Sequence, residues 1–323
     1  MRVYIDTLNL IFMAFHVTRK QLHDKGEMLT NDNIGFFLHM LLNRINQIFA
    51  NHKNITFCWE GEKSLEYRKS IFPDYKENRK DQKAEDEYIT LKSFLPKLRE
   101  ILECYPSKHI KHLKAEADDV IFALCEKYQD EDIVIMSSDK DLTQIGVKFP
   151  NVSVYNPIFK KSIAGDPNII LEKAVCGDPS DNIPGLYRVG PKTLEKMLAS
   201  EEEFKKVINK GKNKVILESF LNIVDLSKYP KKIHDEIKEM DEKIDFNKFN
   251  YDQIELYFWE YKMQDMLNRW GKLKADILIN LNEEEVQNKI IDSIQESINN
   301  KDLESLPKSQ EEKEIDDILA EYL

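Results

Sequence analysis

Three short apolar runs that each end in an acid limit the fold more than any other feature of this chain. Val3-Tyr4-Ile5 runs into Asp6-Thr7, with Asn9 just beyond, and Ile55 to Trp59 runs into Glu60-Gly61. Ile133 to Met136 runs into Ser137-Ser138-Asp139-Lys140-Asp141. Runs of this length read as buried strands. Helical periodicity lies between them, as from Asn31 to Phe49, where Asn31 or Asp32 is the expected cap. Such alternation predicts an α/β fold, a mostly parallel central sheet flanked by helices. Ligands of such sheets bind beyond the carboxyl ends of the strands. Asp6, Glu60, Asp139 and Asp141 would then meet at one edge, where their repulsion calls for a counter-ion. A lone acid after a strand is ordinarily a turn or cap residue. Repetition at three strand ends points to metal.

Two further acidic stretches extend the pattern. Lys114 to Leu124 reads as a helix with an acidic first turn, Glu116-Ala117-Asp118-Asp119. Glu116 and Asp119 share a face at three-residue spacing, and Asp118 joins them only if the helix starts near it. Ala174 to Leu198 contains G-D-P-S-D-N-I-P-G and then G-P-K-T, turn chemistry followed by a helix start. Asp178 and Asp181 suit hard cations, and the N–H groups opening the next helix, with Lys192, suit a phosphate. Oxygen ligands without His or Cys favour Mg²⁺ or Mn²⁺ over zinc.

Length and charge set the outer bounds. A chain of 323 residues holds one large or two ordinary domains. Four cysteines, Cys58, Cys104, Cys125 and Cys176, have no short pair spacing, which argues against a zinc site or disulfide framework and suits a reducing compartment. No apolar run is long enough to span a membrane, and Asp6 breaks the only stretch resembling a signal peptide, so a cytoplasmic protein is expected. The net charge of −11 is concentrated in residues 281–323, which carry thirteen acids against four lysines. Nine of the other acids belong to the stretches above, where divalent cations would offset them. The bulk charge therefore does not exclude nucleic acid.

In order and spacing, E-A-D-D, D-K-D and G-D-P-S-D-N resemble the acidic motifs of the 5′ nuclease superfamily, and Asp6 and Glu60 match its two N-terminal acids. This superfamily comprises flap endonucleases, polymerase-linked 5′→3′ exonucleases and bacteriophage ribonuclease H enzymes, and the last type is the most similar. The resemblance spans about residues 2 to 200. It implies a PIN-like nuclease core at 1–160 with a helical arch near 63–105, then a helix–three-turn–helix DNA-binding domain at 161–279. An acidic tail at 280–323 follows, expected to be mobile or loosely docked.

The implied activity is metal-dependent 5′→3′ exonuclease and 5′-flap endonuclease cleavage of branched or nicked duplexes, removing RNA primers in replication. Two Mg²⁺ ions, replaceable by Mn²⁺, would be held by Asp6, Glu60, Glu116, Asp118 or Asp119, Asp139, Asp141, Asp178 and Asp181. Alternatives are a non-catalytic DNA-junction-binding protein and a PIN-like RNA endonuclease. Two departures stand out. Glu60 replaces the family's Asp, pushing the carboxylate out by about 1.5 Å. Arg188 replaces the first glycine of a Gly-x-Gly turn; if that position needs φ > 0 it strains the turn. Otherwise it adds a phosphate contact at the expense of a monovalent-cation site.

Basic and aromatic residues alternate from Lys63 to Lys83, a pattern suited to stacking on bases while gripping phosphates. By the resemblance, Lys76 and Arg79 contact the scissile phosphate and Tyr75 stacks on a terminal base; Arg68 and Lys69 are further DNA contacts. Lys80, Lys83, Glu85 and Glu87 read as a solvated helix face. An apolar helical pattern follows from about Asp81 to Cys104, with Pro96 as a possible kink. Arg188, Gly190, Lys192, Thr193 and Lys196, with the run Lys205, Lys206, Lys210, Lys212 and Lys214, suit a duplex-backbone footprint. Asn250 to Ile279 reads as helices closing the second domain. The final turns could form an amphipathic helix for a sliding clamp or single-strand-binding protein. The expected partners are thus DNA and RNA–DNA duplexes with a 5′ end or flap, and the protein is expected to be a monomer in the cytoplasm, a host's if it is phage-encoded.

Overall fold

The computed structural model describes residues 1–79 and 86–281. Their compact units are Met1–Asn31 with Asn54–Lys248, and Asp32–Lys53 with the chain from Phe249 onward. The first unit holds a sheet of β1 (Arg2–Asp6), β2 (Ile55–Trp59), β3 (Ser107–Lys111), β4 (Ile133–Met136), β5 (Val152–Asn156) and β6 (Lys161–Ile163). Their order is β3-β2-β1-β4-β5-β6, parallel throughout except for β6. The expected α/β class is therefore present.

The topology explains where a site can form. From β1 the chain builds β2 and β3 on one side, then returns to place β4, β5 and β6 on the other. The order reverses between β1 and β4, the crevice where such sheets take ligands. Register pairs Asp6 with Cys58 and Ile5 with Met136, so Asp6 and the loop after Met136 emerge side by side.

All five residues of β2 are buried, as a strand covered on both faces requires. Helix Ala117–Lys127 covers one face and buries Val120, Ile121, Phe122 and Leu124 among Tyr4, Ile133, Ile135 and Val154. Leu226 and Ile237 complete this cluster. The boundary expected near residue 160 therefore falls inside the first unit. Strands β3 (S-K-H-I-K) and β5 (V-S-V-Y-N) have too few apolar residues to show as runs, which is why the sequence pattern passes over them.

A second core cluster lies among helices Ile169–Cys176, Pro191–Ala199, Glu201–Ile208 and Asn213–Val224, centred on Ala174, Val175, Leu194, Met197, Leu217 and Phe220. The loop from Gly177 to Gly190 joins the first two helices. Gly185 has φ +70, and a Cβ there would lie 2.5 Å from the Cys176 carbonyl carbon and the Gly177 nitrogen. Pro191 opens the next helix, where its missing N–H costs nothing.

In the second unit, Ile34–Asn51, Tyr251–Glu260 and Gln264–Leu281 pack together. Phe258 meets Trp270 edge-on at 5.0 Å, and Asn280 Nδ2 donates to the carbonyls of Phe49 (2.8 Å) and His52 (2.9 Å). The helices expected from Asn250 onward thus join Ile34–Asn51. That helix starts at Asn33 without a side-chain cap, not at Asn31 or Asp32. The long pattern after the basic stretch forms helix Asp86–Leu102 with Pro96 inside it. Glu87, expected on a solvated face, is buried, accepting from Arg19 (2.7 Å) and from the Leu29 N–H (2.9 Å). Lys80, Lys83, Glu85 and the tail from residue 282 lie outside the described residues. Among the described residues no helix is long and apolar enough to cross a membrane, and the four cysteines are unpaired.

Gly185→Ala should destabilise the protein by about 2–3 kcal/mol, from left-handed backbone strain plus the backbone clash. A fall in the urea midpoint at unchanged slope checks this.

Candidate active site

Asp6 ends β1 and caps helix Thr7–His23, accepting from the Asn9 N–H at 3.3 Å and from Ser137 Oγ at 3.0 Å. Asn9 Oδ1 accepts from the N–H (2.9 Å) and hydroxyl (3.0 Å) of Ser138, tying the ends of β1 and β4 together. Asp139 Oδ1 accepts from the Asp141 N–H at 2.8 Å and so turns the loop. Burial, then Asp139 and more weakly Glu60, raise the Asp6 carboxyl to about 7. Burial, Asp6 and Asp139 push Asp118 well up. Burial and Asp139 raise Asp141 to about 6 against the pull of Lys173. Asp6, Asp118 and Asp139 therefore crowd one another, and Asp141 joins through Asp139. Helix Ala117–Lys127 starts one residue before Asp118, the condition for that residue to take part.

The second half of the cluster comes from the loop after Cys176. One oxygen each of Asp141, Asp178 and Asp181 lies within 4.8 Å of the others. Asp178 accepts from the Ser180 N–H (2.9 Å) and hydroxyl (2.6 Å) and from Lys173 Nζ at 2.6 Å. Burial opposes ionisation of Asp178, but Lys173 and Ser180 hold its carboxyl below the usual range. Lys173 also pairs with Asp141. Asp181 accepts from Arg79 Nη2 (2.8 Å) and from the Tyr75 hydroxyl (3.2 Å).

Two expectations from the basic stretch, and one from the acidic helix start, change once burial is known. Arg68 is only 3% exposed; it forms a bidentate pair with Asp119 at 2.7 and 2.9 Å, and donates to Glu116 at 2.8 Å and the Ile223 carbonyl at 3.0 Å. It cannot meet DNA. Asp119 is completely buried and also accepts the Glu116 N–H at 3.0 Å, so of Asp118 and Asp119 it is the one withdrawn into the interior. Tyr75, 2% exposed, packs in the second core cluster with its hydroxyl on Glu116 (3.1 Å), which leaves no face for a base. Lys76, with φ 56, pairs with Glu116 and sends its N–H to the Asp181 carbonyl at 3.0 Å. Although burial raises Glu116, Lys76 and Arg68 bring it down to about 2. Asn78 donates to the Pro179 carbonyl (2.6 Å) and Asn182 to that of Asp74 (2.7 Å), locking this stretch to the acidic loop.

Glu60 accepts from Ser64 Oγ at 2.9 Å and stays within electrostatic reach of Asp6. Lys69 pairs with Glu77. Arg188 does occupy the left-handed region, φ 58, at a cost of about 1–2 kcal/mol, and lies over the exposed Tyr187 ring at 5.0 Å. Gly190 is extended, with open space where a Cβ would go, so another residue fits there. Lys192, Lys196, Lys210, Lys212 and Lys214 are exposed and Thr193 is half-buried, while Lys205 and Lys206 pair with Glu201 (2.5 Å) and Glu203 (3.2 Å). Sequence reasoning missed Lys173, Ser137 and Asn9. The signal for Lys173 was its place five residues before Asp178, in the last turn of a helix.

A cavity of about 670 Å³ opens on this edge, lined by Asn9, Asp139, Asp141, Glu172, Lys173 and Asp178 among others. The oxygen-only donor set, with neighbours too crowded to ionise together, fits hard divalent cations. Carboxylates gathered at the switch point of a parallel sheet, beside a helix–loop–helix, define the class: an α/β nuclease core. The family described as 5′-3′ exonuclease, N-terminal resolvase-like domain, matches residues 2–175. The chain is 30% identical over 267 residues to the 5′-3′ exonuclease of Buchnera aphidicola subsp. Schizaphis graminum, covering 78% of this chain and 79% of that protein. It therefore belongs to the 5′-3′ exonuclease family. It is also 27% identical over 314 residues to DNA polymerase I of Bacillus subtilis, covering 90% of this chain but only 34% of the polymerase. The fold is shared with T5 5′-exonuclease in a structure with divalent metal ions (zinc) bound, with TM-score 0.56, 18% identity and coverage of 75% and 98% of the two chains.

Two outcomes are expected. Arg68→Ala leaves Asp119 buried without its cation, removes one of the two on Glu116, and should cost about 3–5 kcal/mol in chemical denaturation. Asp6 and Asp141 bind protons more tightly folded than unfolded, so metal-free protein should lose stability as pH rises from about 4 to 7. Melting curves in chelator across that range check the sign, and Asp6→Asn should flatten the fall.

Proposed function

We propose that this chain is a metal-dependent 5′→3′ exonuclease and 5′-flap endonuclease that acts on branched or nicked duplexes and removes RNA primers during DNA replication. What carries this reading is the convergence of Asp6, Asp118, Asp139, Asp141, Asp178 and Asp181 from separate stretches onto one sheet edge. Asp6, Glu60, Glu116, Asp118 and Asp139 would hold one Mg²⁺, and Asp141, Asp178 and Asp181 a second, with Mn²⁺ able to substitute. Bound there, the ions supply neutralisation of the phosphate and activation of the attacking water. Lys76 and Arg79, which sit on Glu116 and Asp181, would turn to donate to the oxygens of the scissile phosphate. The loop at Asp178–Asn182 is tied by hydrogen bonds from Ser180 and Asn78 and by Asn182 to Asp74, which would hold its carboxylates in position before substrate arrives. Arg188, Lys192, Lys196, Lys210 and Lys212 give exposed charge for a duplex backbone.

The decisive assay is cleavage of a 5′-flap duplex with and without Mg²⁺. Asp139→Ala should slow single-turnover cleavage by about 10²–10³-fold or more while flap binding in Ca²⁺ is kept. Magnesium-independent cleavage, or full turnover by the variant, would sink the reading.

A further inference from the structure

We propose that Lys173 is a resident counter-ion of the Asp141–Asp178–Asp181 group, and that a divalent cation enters this half of the cluster only by displacing it. This rests on the two-ion reading above and adds to it the residue that makes the two halves unequal.

The two halves are neutralised differently: Glu116 is paired with Lys76 and Arg68, but the three acids beside it have no such partner. Among the described residues, no side-chain ion pair reaches Asp6, Asp118 or Asp139, and Asp139 lies within electrostatic reach of the other two. In the other half, the Lys173 ammonium pairs with Asp141 and lies 2.6 Å from Asp178 Oδ2, within a group of three oxygens no more than 4.8 Å apart. A cation bound by those oxygens at about 2.1 Å would have to share them with a positive group already at hydrogen-bond distance. Coulomb repulsion at such separations is costly wherever water is partly excluded. One of the two must leave.

Lys173 is built to leave, as the buried Arg68 is not. It stands in the last turn of helix Ile169–Cys176, on a flexible four-carbon stem, with its side chain 20% exposed. It lines the open cavity, whose wall also carries Glu172 and Asp166, so its ammonium has water and other acids to turn to. Arg68, 3% exposed and held by four hydrogen bonds, has no such exit. The crowded Asp6 half therefore takes the first ion tightly. The lysine-neutralised half takes the second weakly, at the expense of breaking two ion pairs.

The test is Mn²⁺ binding to metal-free protein without DNA, followed by electron paramagnetic resonance and calorimetry, for wild type, Lys173→Met and Lys173→Arg. Wild type should bind one ion tightly and one weakly. Lys173→Met should tighten the weak ion by about tenfold or more and leave the tight one unchanged, while Lys173→Arg keeps it weak. Without metal, Lys173→Met should melt below wild type, and saturating Mn²⁺ should raise its melting point by more. Equal affinity for the weak ion in wild type and Lys173→Met overturns the role of Lys173 and leaves the two-ion reading standing. No second ion in either protein overturns both. An intact tight ion shows that the variant is folded; if Lys173→Met fails that check, Lys173→Gln is measured to the same criteria.

Discussion

Repulsion among carboxylates held at one sheet edge sets the terms for the rest of this molecule. Asp6 and Asp118 are withdrawn from water beside Asp139, whose charge raises the proton affinity of both. An arrangement of this kind persists only if the surrounding structure over-determines it. Here the ends of β1 and β4 are cross-tied by Ser137 and Asn9, and Asp6 and Glu116 each double as the cap of a helix. The acids cannot spread apart without unwinding a helix start.

The cations that balance the cluster come from other parts of the chain. Arg68 lies in helix Glu66–Ile71, Lys76 in the turn after it, and Lys173 in the helix before the acidic loop. Each ion pair is thus also a tertiary contact, fastening a helical segment to the sheet. The same device appears at Asp241, which receives Lys108 (3.1 Å), Lys127 (2.9 Å) and the Tyr128 hydroxyl (2.6 Å) and so fixes helix Lys231–Lys243. What separates the two places is access. Asp241 is fully enclosed by its donors, whereas the Asp139–Asp178 edge faces a cavity with acids left over.

How much of this could be read from the chain alone differs by residue. The strand-end acids and the G-D-P-S-D-N loop were visible because burial on both faces gives unbroken apolar runs, and turn chemistry is local. Arg68, Asp119 and Tyr75 were misplaced because sequence shows a charge or ring without showing its exposure. Arg68 needed Asp119, some fifty residues away, to become an interior residue. Lys173 was missed for the converse reason, as one lysine in a helix among many. The joining of Ile34–Asn51 with Gln264–Leu281 depends on contacts more than two hundred residues apart, beyond the reach of any local pattern. At Arg188 the local rule did apply. A position that favours glycine holds an arginine, and the backbone is left-handed there all the same.

The two outermost strands have a consequence for the molecule's behaviour in company. β6 has only three residues, led by Lys161, and β3 carries Lys108, His109 and Lys111 with the Asn247 N–H closing one of its carbonyls at 2.9 Å. Neither rim offers a long, flat, apolar template to a stray chain. A sheet whose inner strands are as apolar as β1 and β2 would otherwise invite intermolecular pairing in a crowded solution. By ending in lysines and brevity, it stays self-limiting, and its stickiest segments are screened from aggregation by their own neighbours.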